Sequence, residues 1–298
     1  MSATSDKLRK EFSAQDAIRD AGLTSPEDIQ RVDDIAYGDL PEQKLDVYRP
    51  KALAGKLPII VSVHGGGWVY GDKELYQYYT MSMAQRGFAV VNFSYRLAPE
   101  HQFPAQMEDV KSVFAWTEAN AEEYGFDMEN LFAIGDSAGA HMLGLYCDAC
   151  INPEYAERYP FETPFGPIPK AVSFACGAYT IGGDIKTDWN QDLALMNDLL
   201  PGGPTPENLV MVDVRRWITP DFPETFFFTC TGDFLQEQAV ALEGTLMKQK
   251  VPHIMRFYGD ADRDLGHVFH CNMKSEDARR CNDEQCLFFR NVMAKTGK

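Results

Sequence analysis

The sequence predicts an α/β fold on a mainly parallel sheet, and three observations point to it. Short β-branched or aromatic runs alternate with longer stretches of helical spacing along the 298 residues. The runs PIIVSV, FAVVNF and FFFTC are apolar almost throughout, as strands covered on both faces by helices are. Hydrophobic residues make up 45% and charged residues 24%, the profile of a folded domain rather than of a disordered or disulfide-framed chain.

In chain order, the leader at 1–40 has helical spacing at Phe12, Ile18 and Ile29 but no sheet partner that the pattern assigns. Strands are expected at 45–48, 58–63 and 88–94, with a helix at 74–86 before the third. A helical pattern at 106–124 precedes a strand at 131–134, a helix at 138–150 and a strand at 171–175. Proline and glycine clusters fill much of 151–220, around that strand and one short helix, and a connection so long is expected to be a lid. Strands at 225–230 and 253–258 then alternate with helices at 236–249 and 277–294. The expectation is one domain over 1–298, with 1–40 and about 151–220 as cap segments.

Composition excludes several partners. The formal charge of −16 repels nucleic-acid phosphates and anionic lipid over a screening length of about 10 Å. No stretch approaches the roughly 20 apolar residues of a membrane span, and MSATSDKLRKEFSAQDAIRD lacks the apolar core of a signal peptide, so a cytoplasmic protein is expected. Seven cysteines, an odd number over a long chain, read as free thiols. The sequon at Asn92 falls inside an expected strand, where glycosylation is not expected.

Two motifs carry chemistry. Residues Gly135-Asp136-Ser137-Ala138-Gly139 pass from an apolar strand to a helical stretch through a G-x-S-x-G turn. Its glycines leave room for a strained bend that lifts a serine hydroxyl above the strand ends, and the helix beyond offers free N–H groups to a developing oxyanion. His64-Gly65-Gly66-Gly67-Trp68 directly follows the strand expected at 58–63. Three successive glycines cost about 1 kcal/mol each relative to alanine, which a purely structural turn seldom bears, and they let main-chain amides approach a ligand.

Together with Ser94-Tyr95-Arg96-Leu97-Ala98-Pro99-Glu100 and its continuation HQFPA, these blocks stand in the order and spacing of a known group. The chain resembles the hormone-sensitive-lipase-like carboxylesterases of the α/β-hydrolase superfamily, strongly over 40–150 and more weakly over 222–290. The resemblance implies an α/β-hydrolase fold, a Ser-His-Asp triad and an oxyanion loop. In that order an acid and then a histidine must follow the serine. Asp233 closes an apolar run in the position where the family places its acid, although Phe234 departs from the family's usual proline. Asp260, Asp262 and Asp264 compete with it from the polar turn GDADRD. His267-Val268-Phe269 matches the family's His-Gly-Phe except for valine, which makes His267 the expected base, with His270 as the fallback. His64 is expected to brace its own loop, and His101, His141 and His253 to be surface or packing residues.

The expected chemistry is hydrolysis of a small-molecule, short-chain acyl ester. Ser137 attacks, His267 moves the proton, Asp233 orients the ring, and the amides of Gly66, Gly67 and Ala138 bind the oxyanion. No metal and no cofactor are expected. The pair Cys147 and Cys150 lies late in a helix, away from the N-terminal position that activates a thiol, and the group His267, His270, Cys271, Cys281 and Cys286 lacks zinc-like spacing. A zinc on His267 would moreover exclude that residue as the base. Tyr70, Tyr76, Tyr78, Tyr79 and Trp68 could line a pocket or pack against the cap. Two alternatives stand beside the esterase, an arylformamidase-like amide hydrolase and a non-catalytic ligand-binding protein on the same scaffold. A homodimer is possible.

Overall fold

The structure is a computed structural model that describes residues 2–181 and 193–296. Among the described residues eight strands form one sheet, β1 (Ile29–Ala36), β2 (Lys44–Pro50), β3 (Leu57–Val63), β4 (Ala89–Phe93), β5 (Phe126–Asp136), β6 (Ala171–Ala175), β7 (Glu224–Cys230) and β8 (His253–Tyr258). They lie in the order β1-β2-β4-β3-β5-β6-β7-β8. The first two pairings, β1 with β2 and β2 with β4, are antiparallel, and every later one is parallel. The expected α/β architecture is present.

The helices are α1 (Ala3–Asp20), α2 (Lys73–Gln85), α3 (Ala105–Ala119), α4 (Ala121–Tyr124), α5 (Ala138–Ile151), α6 (Pro153–Ala156), α7 (Leu193–Leu199), α8 (Pro206–Met211), α9 (Val214–Trp217), α10 (Gln236–Gln249) and α11 (Glu276–Thr296). Strand alternation sends Ile59, Val61 and Val63 into the layer shared with α3, α5 and α10. Ile60, Val90, Phe132 and Ile134 face the opposite layer, against α2 and α11. Both faces being covered is why the central strands read as unbroken apolar runs.

The leader departs from its helical pattern. Ile29 does not extend a helix but opens β1, which pairs with β2 from Ile29 opposite Pro50 to Ala36 opposite Lys44. As an edge strand β1 buries little, and its register shifts between Val32 and Ile35, where Asp34 has φ 61°, so no alternation marks it. Ile18, counted toward an apolar face, is 76% exposed. Polar side chains dock α1 instead. Arg9 donates to the carbonyls of Val69 (2.7 Å) and Ala98 (2.9 Å), Arg19 to that of Leu75 (2.8 Å), and Ser2 Oγ to Asp198 of α7 (2.6 Å).

Of the insertion expected at 151–220, residues 182–192 lie outside the described residues. The remainder forms β6 and four helices, more helix than the sequence suggested. The expected helix at 106–124 is divided into α3 and α4 around Asn120. Asn92 is buried in β4, its side chain donating to the Lys73 carbonyl at 2.7 Å.

Candidate active site

Three strand ends and the loop after a fourth supply the site, as expected where ligands collect at the carboxyl edge of an open parallel sheet. β5 ends at Asp136 and α5 begins at Ala138, leaving Ser137 alone on the bend with φ 48° and ψ −117°. That conformation is strained for any residue with a β-carbon, and the surroundings fix it. The Ser137 N–H donates to the Ala175 carbonyl at 3.0 Å, and the Ser137 carbonyl accepts from Ala178 and His141, each at 3.2 Å. A β-carbon on Gly135 would lie 2.8 Å from the Gly139 main chain, so the turn closes only with glycine there.

β7 leads to the candidate acid. Asp233 is buried just beyond Cys230, and its carboxylate accepts from the Thr229 hydroxyl (2.6 Å) and the Leu235 amide (2.9 Å). His267, in the loop after β8, holds Nδ1 2.7 Å from Asp233 Oδ1 and is only partly exposed. Burial by itself would raise the Asp233 pKa. The hydrogen bond and charge of His267, with the Thr229 and Leu235 donors, outweigh it and hold the carboxyl below its ordinary value. The aromatic ring of Phe234 lies 4.2 Å from the imidazole, centroid to centroid, so the residue that departs from the family pattern covers the histidine.

The competitors lie elsewhere. Asp260 closes a turn with Arg263 and is exposed, as are Asp262 and Asp264. His270 is buried against Tyr79 and Phe228, with burial holding its pKa down to about 3.

The loop after β3 carries the amides. Gly66 has φ 112°, and a β-carbon there would meet the Tyr70 carbonyl oxygen at 2.1 Å. Among the described residues the N–H groups of Gly66, Gly67 and Ala138 have no partner within the protein. His64 braces this loop, as expected. Its ring stacks on Tyr95 at 4.0 Å with Nδ1 2.8 Å from the Gly65 carbonyl, and burial holds its pKa down to about 4. One bracing group escaped sequence reasoning. The Tyr76 hydroxyl donates to Asp136 (2.7 Å) and accepts from the Gly65 amide (2.9 Å), which also reaches Asp136 at 3.1 Å. Burial pushes the Asp136 carboxyl up to about 6 against these donors.

Ser137, Gly66, Gly67 and His267 line one cavity of about 340 Å³, while Asp233 stands behind His267. Phe12, Gln15, Asp16 and Arg19 of α1 form a further wall, and Tyr70 and Tyr76 contribute aromatic surface. Trp68 and Tyr79 pack into the interior, and Tyr78 reaches the Leu23 carbonyl. All seven cysteines are free, Cys147 and Cys150 included. No helix among the described residues is long and apolar enough to cross a membrane.

The chain is similar to known proteins in sequence and in fold. The family model described as BD-FAE matches residues 45–153, the part holding both motifs. Esterase LipC of Mycobacterium tuberculosis is 36% identical over 42% of this chain, an alignment spanning 32% of LipC, so the chain covers about a third of that relative. Versiconal hemiacetal acetate esterase of Dothistroma septosporum is 28% identical over 74% of this chain and 70% of that protein. A structure of esterase B from Lactobacillus rhamnosis, described with a tributyrin phosphonate, superposes with a TM-score of 0.89 over 99% of this chain and 96% of the other at 24% identity. An esterase from the archaeon Pyrobaculum calidifontis does so with a TM-score of 0.77 over 97% and 94% at 19% identity. The fold is that of the α/β-hydrolases, and the relatives and neighbours named here are esterases.

Proposed function

We propose that this α/β-hydrolase-fold chain is a serine carboxylesterase that cleaves small esters with short acyl groups through Ser137, His267 and Asp233. What supports it most is convergence. A strained serine, a histidine hydrogen-bonded to a buried carboxylate, and a loop carrying unpartnered amides border the same cavity.

The chemistry follows from those positions. A serine hydroxyl needs a base to attack an ester carbonyl, and His267 serves through Nε2 because Nδ1–H is held by Asp233. The acid fixes the tautomer and stabilises the imidazolium that forms. Charge developing on the carbonyl oxygen is taken up by the amides of Gly66, Gly67 and Ala138, each worth about 3 kcal/mol in the transition state. His267 next protonates the leaving alcohol, and water releases the acyl group by the same steps in reverse.

A short acyl group suits a cavity of about 340 Å³, near the lower end of the roughly 300–1,000 Å³ range of ligand pockets. The name of the Dothistroma relative, an acetate esterase, points the same way. We read α1 as part of the cap, since it forms one wall. Seven free thiols, six of them buried, suit a reducing compartment such as the cytoplasm. The test is hydrolysis of p-nitrophenyl acetate by the wild type and by Ser137→Ala. Loss of about 10⁴-fold or more in kcat is expected for the variant. Equal rates for the two proteins remove the assignment.

A further inference from the structure

The group His267, His270, Cys271, Cys281 and Cys286 considered from sequence is not what the fold assembles around the histidine. Cys176, at the carboxyl end of β6, offers its thiol instead. Its Sγ, a carboxylate oxygen of Asp233 and a ring nitrogen of His267 all lie within 4.8 Å of one another. Cys176 is held there with φ 46° and with its N–H on the Phe228 carbonyl at 2.8 Å, so the thiol is a fixed part of the wall behind the imidazole.

We infer that Cys176, Asp233 and His267 form an inhibitory site for a thiophilic divalent cation of the zinc class. Ligand atoms of one tetrahedral zinc stand about 3.3–3.6 Å apart, so the Asp233–His267 pair, hydrogen-bonded at 2.7 Å, opens by about 0.5–1 Å to admit the ion, with the Cys176 sulfur already within 4.8 Å of both. Thiolate, imidazole and carboxylate are a sufficient protein ligand set, with a fourth position left for water. His267 borders the open cavity, which gives the ion its way in.

On binding, the Cys176 thiol loses its proton to solvent as sulfur bonds to the metal, and Asp233 binds as the carboxylate it already is. The metal takes the Nδ1 lone pair of His267, so the one ring proton moves to Nε2. An imidazole with Nε2 protonated and Nδ1 metallated cannot accept the proton of Ser137. Filling the site therefore stops acyl transfer without blocking the cavity.

The effect on hydrolysis rests on the esterase assignment, whereas binding does not, and the experiment separates them. Wild type, Cys176→Ser and Cys147→Ser are titrated with cadmium ion while the ultraviolet thiolate-to-cadmium charge-transfer band is followed. The expected result is a band saturating at one cadmium per chain in wild type and in Cys147→Ser, and absent in Cys176→Ser. The Cys147 variant controls for the C-x-x-C pair on α5. A band that persists in Cys176→Ser, or none in wild type, overturns the inference. Should Cys176→Ser not fold by circular dichroism, His267→Ala replaces it, with cadmium affinity expected to fall by about tenfold or more; unchanged affinity overturns the site. In a second arm, zinc ion is titrated into p-nitrophenyl acetate hydrolysis and each variant is scaled to its own metal-free rate. The half-inhibitory zinc concentration is expected to rise about tenfold or more in Cys176→Ser and to return to no inhibition with chelator. Absence of hydrolysis in the metal-free wild type counts against the esterase assignment alone.

Discussion

Gly139 sets its α-carbon so close to the end of β3 that a methyl group there would lie 2.1 Å from the Val63 carbonyl oxygen. The His64 carbonyl oxygen would be 2.5 Å away. This contact docks the first turn of α5 against the strand that launches the glycine loop. The serine and the loop amides are thereby positioned by one another, so Gly139→Ala is expected to separate them. A loss of about 100-fold in kcat, comparable to removing one oxyanion donor, should accompany destabilisation of about 1–3 kcal/mol. Steady-state kinetics and a urea midpoint check both, and a variant matching the wild type in each contradicts the docking.

Asp233 and Asp260 were rivals in the sequence and differ sharply in place. Asp233→Asn keeps the size of the side chain but removes the charge that holds the imidazole, and kcat should fall by about 10⁴-fold. Asp260 is exposed and pairs with Arg263 across a turn, so Asp260→Asn should change kcat/KM by less than about threefold. Comparable losses in the two variants would mean that the acid has been misassigned.

Much of the fold was legible because its signals are local. The strands at 171–175 and 253–258 were bounded as observed, the first because a central parallel strand is buried on both faces, the second, a half-exposed edge, because Pro252 and Gly259 bracket it. The elbow and the glycine loop were legible because their sterics force particular residues at fixed spacing. What failed was local chemistry overruled by distant partners. β1 is polar because it is an edge, and α1 docks by Arg9 and Arg19 onto carbonyls more than fifty positions away, which no apolar periodicity records. Tyr76 reaches Gly65 and Asp136 across 11 and 60 positions, and Cys176 meets Asp233 and His267 only because β6 and β7 are neighbours.

Stability should depend on pH in a direction these buried groups fix. Burial holds His64 and His141 down to about 4 and His270 to about 3, so all three stay neutral where an unfolded chain has begun to protonate. A histidine with a lowered folded pKa contributes its full stability above the unfolded value and loses it as pH falls toward the folded one. Between pH 7 and pH 5 each should lose about 2 kcal/mol. Asp136, raised to about 6, works in the opposite sense, because the folded state binds its proton first on acidification, and it returns about 1 kcal/mol over that interval. Asp148 and Asp213, whose carboxyls burial also raises, act in the same sense as Asp136, so the net fall is smaller than the three rings alone would give. Proton NMR titration of the imidazole rings between pH 7 and pH 5 reads their state directly, and rings of His64, His141 and His270 that protonate at about 6.5 would refute their neutral burial.

The acyl preference should be set by α1. Asp16 accepts from the Tyr70 hydroxyl at 2.9 Å and pairs with Arg19 at 2.7 Å, so its side chain ties the helix to the glycine loop and compensates the one cation on that wall. Replacing it by alanine removes the tie and enlarges the cavity without touching Ser137, Asp233 or His267. A longer acyl chain then finds room, and one accommodated methylene is worth about 1–3 kcal/mol in a fitted pocket. For Asp16→Ala the ratio of kcat/KM on p-nitrophenyl hexanoate to that on the acetate should therefore rise by about tenfold or more. Because the carboxylate is partly exposed, the urea midpoint should move little, which distinguishes a reshaped pocket from a loosened fold. A ratio that stays at the wild-type value would place the acyl group away from α1, along a wall made by other parts of the chain.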